Sequence, residues 1–139
     1  GVAAALGSEG LSVPVPRDAH TLDLRETATG IQDLTERARA GTLTPQEVQG
    51  GTFTISNHGV SGSLLAAPIV INQPQSAILD VGKLERRPVV VDSDGEERIA
   101  IRPRCYVTLT IDHRVMDGQR ANAFMEVLVR RLSGWPGAE

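Results

Sequence analysis

The stretch Ile111-Asp112-His113-Arg114-Val115-Met116-Asp117-Gly118 sets an imidazole at the end of an apolar segment, with a carboxylate four residues later and a glycine behind it. Imidazole titrates near neutral pH, so a histidine presented to a ligand can take a proton and return it as a general base. Each residue also has an ordinary structural use. His113 can be a hydrogen-bonded polar side chain at a strand end, Asp117 a helix N-cap, and Gly118 the residue that permits the turn. A metal reading is poor, because a closed site needs three or four ligands and no supporting cluster accompanies His113 and Asp117.

The elements around the histidine determine whether it can be presented. Val107, Leu109 and Ile111 alternate with Tyr106, Thr108 and Thr110, the period of a half-buried strand. Beyond Gly118, Phe124, Val127, Leu128 and Leu132 recur at helical spacing. His113 therefore sits at a strand-to-helix junction, where a rigid scaffold can offer a side chain to a ligand.

Upstream, Val2 to Leu6 and Leu11 to Val15 flank Gly7-Ser8-Glu9-Gly10 and read as a hairpin, with Pro14 and Pro16 marking its second strand as an edge. Asp23 caps a predicted helix whose stripe is Leu24, Ala28, Ile31, Leu34 and Ala38, and Gly41 ends it. Thr44-Pro45-Gln46-Glu47 is a capping box and predicts a short helical turn. After Gly50-Gly51, the strand Thr52 to Ser56 is expected to turn Phe53 and Ile55 to a core and its hydroxyls the other way. A loop over residues 57–75 leads to an apolar strand from Ser76 to Val81. Val89 to Val91 and Arg98 to Ile101 form a second hairpin around Asp92-Ser93-Asp94-Gly95. Mixed strands and helices with several hairpins imply an α/β sandwich rather than a doubly wound nucleotide fold.

Composition narrows the classes. The 139 residues are 40% hydrophobic and 22% charged but only 3% aromatic, so the core must come from Val, Ile, Leu and Ala. A net charge of −3 gives no reason to expect nucleic acid or an anionic membrane as partner. No run is long enough to span a bilayer. Cys105 is the single cysteine, which excludes an internal disulfide and points to a reducing compartment. The chain opens at Gly1-Val2-Ala3-Ala4-Ala5-Leu6 without methionine, already inside a predicted strand, and is expected to be part of a longer protein.

Four ordered motifs carry a family resemblance. Asp112 to Gly118 resembles the H-x-x-x-D-G motif of dihydrolipoamide acyltransferases, the core components of 2-oxo acid dehydrogenase complexes and relatives of chloramphenicol acetyltransferase. Gly50-Gly51-Thr52-Phe53-Thr54-Ile55-Ser56-Asn57 resembles that family's G-G-T-F-T-[IV]-[ST]-N strand. Pro68 to Leu79 resembles its P-I-I-x-P-P-Q-x-A-I-L segment, and Gly10 to Val15 its G-L-x-V-P-V segment. The resemblance implies a chloramphenicol acetyltransferase-like two-layer α/β sandwich, incomplete at the N-terminus. Residues 1–139 would then be the C-terminal part of the catalytic domain, without the lipoyl and peripheral subunit-binding domains.

The resemblance also implies a chemistry. His113 would take the proton of a thiol attacking a thioester, since only the thiolate attacks well. Ser56, by its place in the G-G-T-F-T-I-S-N strand, would donate a hydrogen bond to the oxyanion of the tetrahedral intermediate. Asp117 would support the histidine loop. In related enzymes the histidine and the hydroxyl come from adjacent subunits of a trimer. Coenzyme A would be a substrate with its contact residues unknown, the lipoyl group would sit on another domain, and no metal is implied. The implied partners are copies of the chain forming a trimer-based core, together with the dehydrogenase and dihydrolipoamide dehydrogenase components. The location would be cytoplasmic in a bacterium, which is favoured, or the mitochondrial matrix in a eukaryote.

Residues 56–64 and 75–79 resemble the succinyltransferase pattern N-G-G-V-F-G-S-L…P-Q-S-A-I-L, which favours succinyl transfer. His58, Ser61 and Asp80 depart from it. His58 replaces a small residue and reads as a loop residue, while Asp80 stands where relatives usually have glycine. Cys105 lacks a nucleophile motif, His20 reads as solvated beside Arg17 and Asp18, and Lys83, Arg86 and Arg87 read as a solvated face or a coenzyme A phosphate contact. The competing reading is a non-catalytic oligomeric core or an inactive fragment.

Overall fold

The computed structural model describes residues 1–135. Seven strands and two helices follow in the order β1 (Ala4–Ala5), β2 (Leu11–Ser12), α1 (Leu24–Arg39), β3 (Thr54–Asn57), β4 (Ala77–Val81), β5 (Glu85–Ser93), β6 (Glu96–Arg104), β7 (Val107–Ile111) and α2 (Gly118–Ser133). The central sheet runs β3-β4-β7, with β3 parallel and β7 antiparallel to β4. β1 and β2 form the expected hairpin, shorter than predicted, around a 3-10 turn at Gly7–Glu9. The first residues also lie along β3: Ala3 N–H donates to Ile55 O at 2.9 Å and Ile55 N–H to Gly1 O at 2.8 Å.

The helix ends obey their capping chemistry. Asp23 accepts from the Glu26 N–H while the Glu26 carboxylate accepts from the Asp23 N–H, both at 2.8 Å. Gly41 follows α1 at φ +67°, the left-handed geometry that ends a helix cheaply only at glycine. The Thr44/Glu47 capping box also forms, over a 3-10 turn at Pro45–Val48. Arg37 of α1 clamps this turn through the Glu47 carboxylate. That contact, with the Thr44 N–H and hydroxyl, holds Glu47 down at about 2.

The β5–β6 hairpin is nine residues long on each side and pairs only with itself in the sheet topology. Its turn takes Asp94 and Gly95 through φ +59° and +83°, the primed geometry that matches strand twist. The Asp92 carboxylate accepts from the Gly95 N–H and fixes the register.

The central sheet corrects one expectation. Thr54 and Ser56 are buried, while Ile55 is 39% exposed. The loop over residues 57–75 folds back across the hydroxyl face and supplies partners: Thr108 donates to Ala66 O, Thr110 accepts from the Ile69 N–H, and Thr54 donates to Gln75 Oε1 at 2.6 Å. Hydroxyls tolerate burial when bonded in this way. Helix α2 lies against the opposite face, where the Phe124 ring meets Phe53 at 6.0 Å between centroids.

Burial is thinner than the helical stripes predict. Leu34 and Ala38 of α1 are buried, but Leu24 is 67% exposed and Ala28 is exposed as well. No α2 residue is fully buried, and Phe124, Val127 and Leu132 are each about half exposed. Within one copy, the apolar faces of both helices exceed the surface available to cover them.

Candidate active site

The histidine turn is built by its neighbours. The Asp112 N–H continues the ladder one residue past β7, donating to Ser76 O at 2.8 Å. The Asp112 carbonyl then accepts from the N–H groups of Val115 and Met116, closing the turn. Its carboxylate accepts from the Arg114 N–H at 3.0 Å and takes the Arg114 guanidinium with Nε at 2.9 Å and Nη2 at 2.6 Å. Those contacts hold the Asp112 carboxyl down at about 2. On the far side, Asp117 is the N-cap of α2, accepting from the Arg120 N–H at 2.9 Å. Between these anchors His113 is exposed. The ring is presented, and its neighbours supply the rigidity.

Ser56 lies elsewhere. It is buried on β3, in register with Asp80 of β4, which is in turn opposite Thr108 of β7. From that row to Asp112 is four residues of β7, about 13 Å at ~3.3 Å per residue, and two strand spacings sideways add about 10 Å. Ser56 and Asp112, the residue before His113, are thus roughly 16 Å apart in one copy by strand geometry, far beyond a shared hydrogen-bond network. The structure also does not join His113 to Asp117, whose contact goes to the helix backbone.

Two residues beside Ser56 were not expected there. Asp80 is 1% exposed, and its Oδ1 lies 2.5 Å from Nδ1 of His58. The same nitrogen is 3.5 Å from the Ser56 hydroxyl oxygen. His58 lies in the loop that follows β3, as its sequence reading has it, and its ring is anchored there by Asp80. The contact brings together the two positions, 58 and 80, noted in the sequence as differing from the succinyltransferase pattern.

Lys83 and Arg87 both pair with Glu85, and Arg87 also donates to the Tyr106 hydroxyl and stacks over its ring. Cys105 is an exposed thiol, and His20 lies in an exposed 3-10 turn. Among the described residues, no three His, Cys, Asp or Glu side chains cluster as a metal-binding group. A groove of about 660 Å³ opens beside the histidine turn, lined by Phe53, Ala77, Leu109, Met116, Arg120 and Phe124. Its walls offer mainly apolar contact, with one cation.

Residues 1–136 match the family model described as 2-oxoacid dehydrogenases acyltransferase (catalytic domain). The chain belongs to this acyltransferase family. Curated relatives include the dihydrolipoyllysine-residue acetyltransferase component of the pyruvate dehydrogenase complex of Mycobacterium bovis, 46% identical over 125 residues, which are 89% of this chain and 22% of that protein. The dihydrolipoyllysine-residue succinyltransferase component of the 2-oxoglutarate dehydrogenase complex of Azotobacter vinelandii is also 46% identical, over 88% of this chain and 29% of its own. The chain thus spans less than a third of either relative. Among solved acyltransferases, the Azotobacter vinelandii dihydrolipoamide acetyltransferase superposes with a TM-score of 0.85 at 33% identity, covering 96% of this chain and 53% of that one. A truncated catalytic core from Thermoplasma acidophilum gives 0.81 at 35% identity, covering 96% and 56%. The mixed sheet with flanking helices is this family's α/β architecture.

Proposed function

We propose that the protein transfers an acyl group, with succinyl favoured, between dihydrolipoamide and coenzyme A in a 2-oxo acid dehydrogenase complex. The observation that carries this reading is the presentation of His113: an exposed imidazole on a turn pinned by Asp112, Arg114 and Asp117. In the reaction, Nε2 or Nδ1 of His113 accepts the proton of the coenzyme A thiol as sulfur attacks the thioester carbonyl carbon. The oxyanion that forms takes a hydrogen bond from the Ser56 hydroxyl. Collapse restores the carbonyl and expels the lipoyl thiolate, which recovers the proton from the imidazolium. General-base help of this kind is worth about 10²–10⁴-fold.

The separation of roughly 16 Å between Ser56 and Asp112, at the base of the histidine turn, supports a site shared by two copies in a trimer. The half-exposed apolar faces of α1 and α2 support an assembly that covers them. Asp117 acts as a positioning residue. In the Azotobacter vinelandii acetyltransferase, roles in the catalytic mechanism were investigated for a serine, a histidine and an asparagine four residues after it. Asparagine and aspartate are equally good N-caps, so that spacing fits a capping role at 117.

Acetyl- and succinyltransferases match the chain at the same identity, so the acyl preference rests on residues 56–64 and 75–79 alone. An assay of the complete polypeptide with succinyl-, acetyl- and branched acyl-dihydrolipoamide tests it. Succinyl should give the highest kcat/KM, and a higher value for acetyl would reverse the assignment.

A further inference from the structure

The Ser56 hydroxyl can stabilise an oxyanion only if its proton is free to point at the substrate, and the residues beside it bear on that freedom. Asp80 sits in register with Ser56 on the neighbouring strand and is almost fully buried. A buried carboxylate requires a partner, and His58 provides one through Nδ1 at 2.5 Å. The His58 backbone is fixed as well. Its carbonyl accepts from the N–H groups of Ser61 and Ser63, and the Lys83 N–H donates to Ser63 O. Close approach locks the same loop onto the end of β4. A Cβ on Gly59 would lie 2.4 Å from Gly82 O, and one on Gly82 would lie 2.2 Å from Leu64 O.

Ser56 Oγ and Asp80 Oδ1 both address the same ring nitrogen, at 3.5 and 2.5 Å. That excludes a nucleophilic triad, in which the serine and the carboxylate engage opposite nitrogens. It has another consequence. A proton on Nδ1 goes to the nearer and stronger acceptor, the carboxylate, and a protonated Nδ1 has no lone pair for the serine proton. We propose that His58 and Asp80 form a positioning pair that keeps the Ser56 hydroxyl available as a hydrogen-bond donor to the reacting carbonyl. Without Asp80, the other tautomer of His58 would accept the Ser56 proton and turn the donor inward. Without His58, an unpaired carboxylate would lie beside Ser56, compete for its proton and oppose a developing negative charge. Each residue is harmful without the other.

The inference rests on the oxyanion role of Ser56, and the test separates the two. Steady-state transfer to coenzyme A is measured on the complete, assembled enzyme for His58→Ala, Asp80→Ala, the double variant, His58→Asn and Ser56→Ala. Assembly is checked by size-exclusion chromatography. His58→Ala and Asp80→Ala should each lower kcat by about 10- to 100-fold with KM for coenzyme A within about twofold of wild type. The double variant, lacking both the acceptor and the anion, should be more active than either single variant. His58→Asn, whose amide N–H can still donate to Asp80, should recover most of the loss. Losses that multiply in the double variant, a change confined to KM, or no rescue by asparagine would overturn the pairing. Should the double variant fail to assemble, the comparison of His58→Asn with His58→Ala decides. If Ser56→Ala keeps its kcat, the oxyanion reading fails; if it loses kcat while His58→Ala does not, only the pairing fails.

Discussion

Replacing Asp117 with alanine removes the acceptor for the Arg120 N–H and leaves the first turn of α2 uncapped. Loss of an N-cap costs about 1 kcal/mol, within a range of roughly 0.5–2. The first turn has little else to hold it, because α2 has no fully buried residue and Gly118, its first residue, is a poor helix former. About 1 kcal/mol is roughly a fivefold change in an opening equilibrium, so exchange of the Ala121 amide, which donates to the Asp117 carbonyl, should accelerate about fivefold. The same fraying loosens the end of the turn that presents His113, so kcat should fall while KM changes little. Asparagine caps as well as aspartate. Asp117→Asn should therefore restore both the Ala121 protection and most of the activity. The assay is amide exchange on the assembled protein alongside acyl-transfer kinetics. If asparagine restores the protection but leaves kcat as low as alanine does, the carboxylate acts on the chemistry directly and the capping account is wrong.

Further outcomes follow from the same contacts. Ser56→Ala should lower the chemical step by about 10²–10³-fold with little loss of coenzyme A affinity, and a fall in affinity alone would contradict the oxyanion role. Asp112 lies below its ordinary value of 3.8, at about 2, so its pairing stabilises the fold fully above pH 4 or so and is lost as pH falls towards 2. Arg114→Ala should flatten the pH dependence of thermal unfolding across that window, and an unchanged slope would show that the pair does not contribute. Gly82→Ala puts a methyl group 2.2 Å from the Leu64 carbonyl oxygen and should lower the urea midpoint markedly, whereas the same change at open Gly30 should not.

Much of the local structure was legible because it depends on short-range chemistry. The Asp23 cap, the Thr44/Glu47 box, the Asp94-Gly95 turn and the β7 strand are each specified within a few residues. The faces of β3 were not. Ile55 and Phe53 are the apolar members of an alternating strand, yet Thr54 and Ser56 are the more buried, because a loop contributed by residues 57–75 closes over them. That closure is a long-range event and leaves no periodic trace in β3 itself. The exposed stripes of α1 and α2 have a similar cause, since a helical pattern marks an apolar face without saying which surface covers it. His113 was visible from its place between a strand and a helix. His58 and Asp80 were hidden because 22 residues separate them, and only the parallel register of β3 and β4 brings them together.

The central claim, that His113 of one copy works with Ser56 of another, is tested most directly by mixing two inactive subunits. His113→Ala and Ser56→Ala chains are co-expressed in equal amounts as complete polypeptides and the assembled product is assayed for acyl transfer. In a trimer whose sites each take one residue from either neighbour, about a quarter of the sites would combine an intact histidine with an intact serine. The mixture should therefore recover about a quarter of wild-type activity, although neither parent is active. Activity no higher than that of the two parents would contradict the shared site.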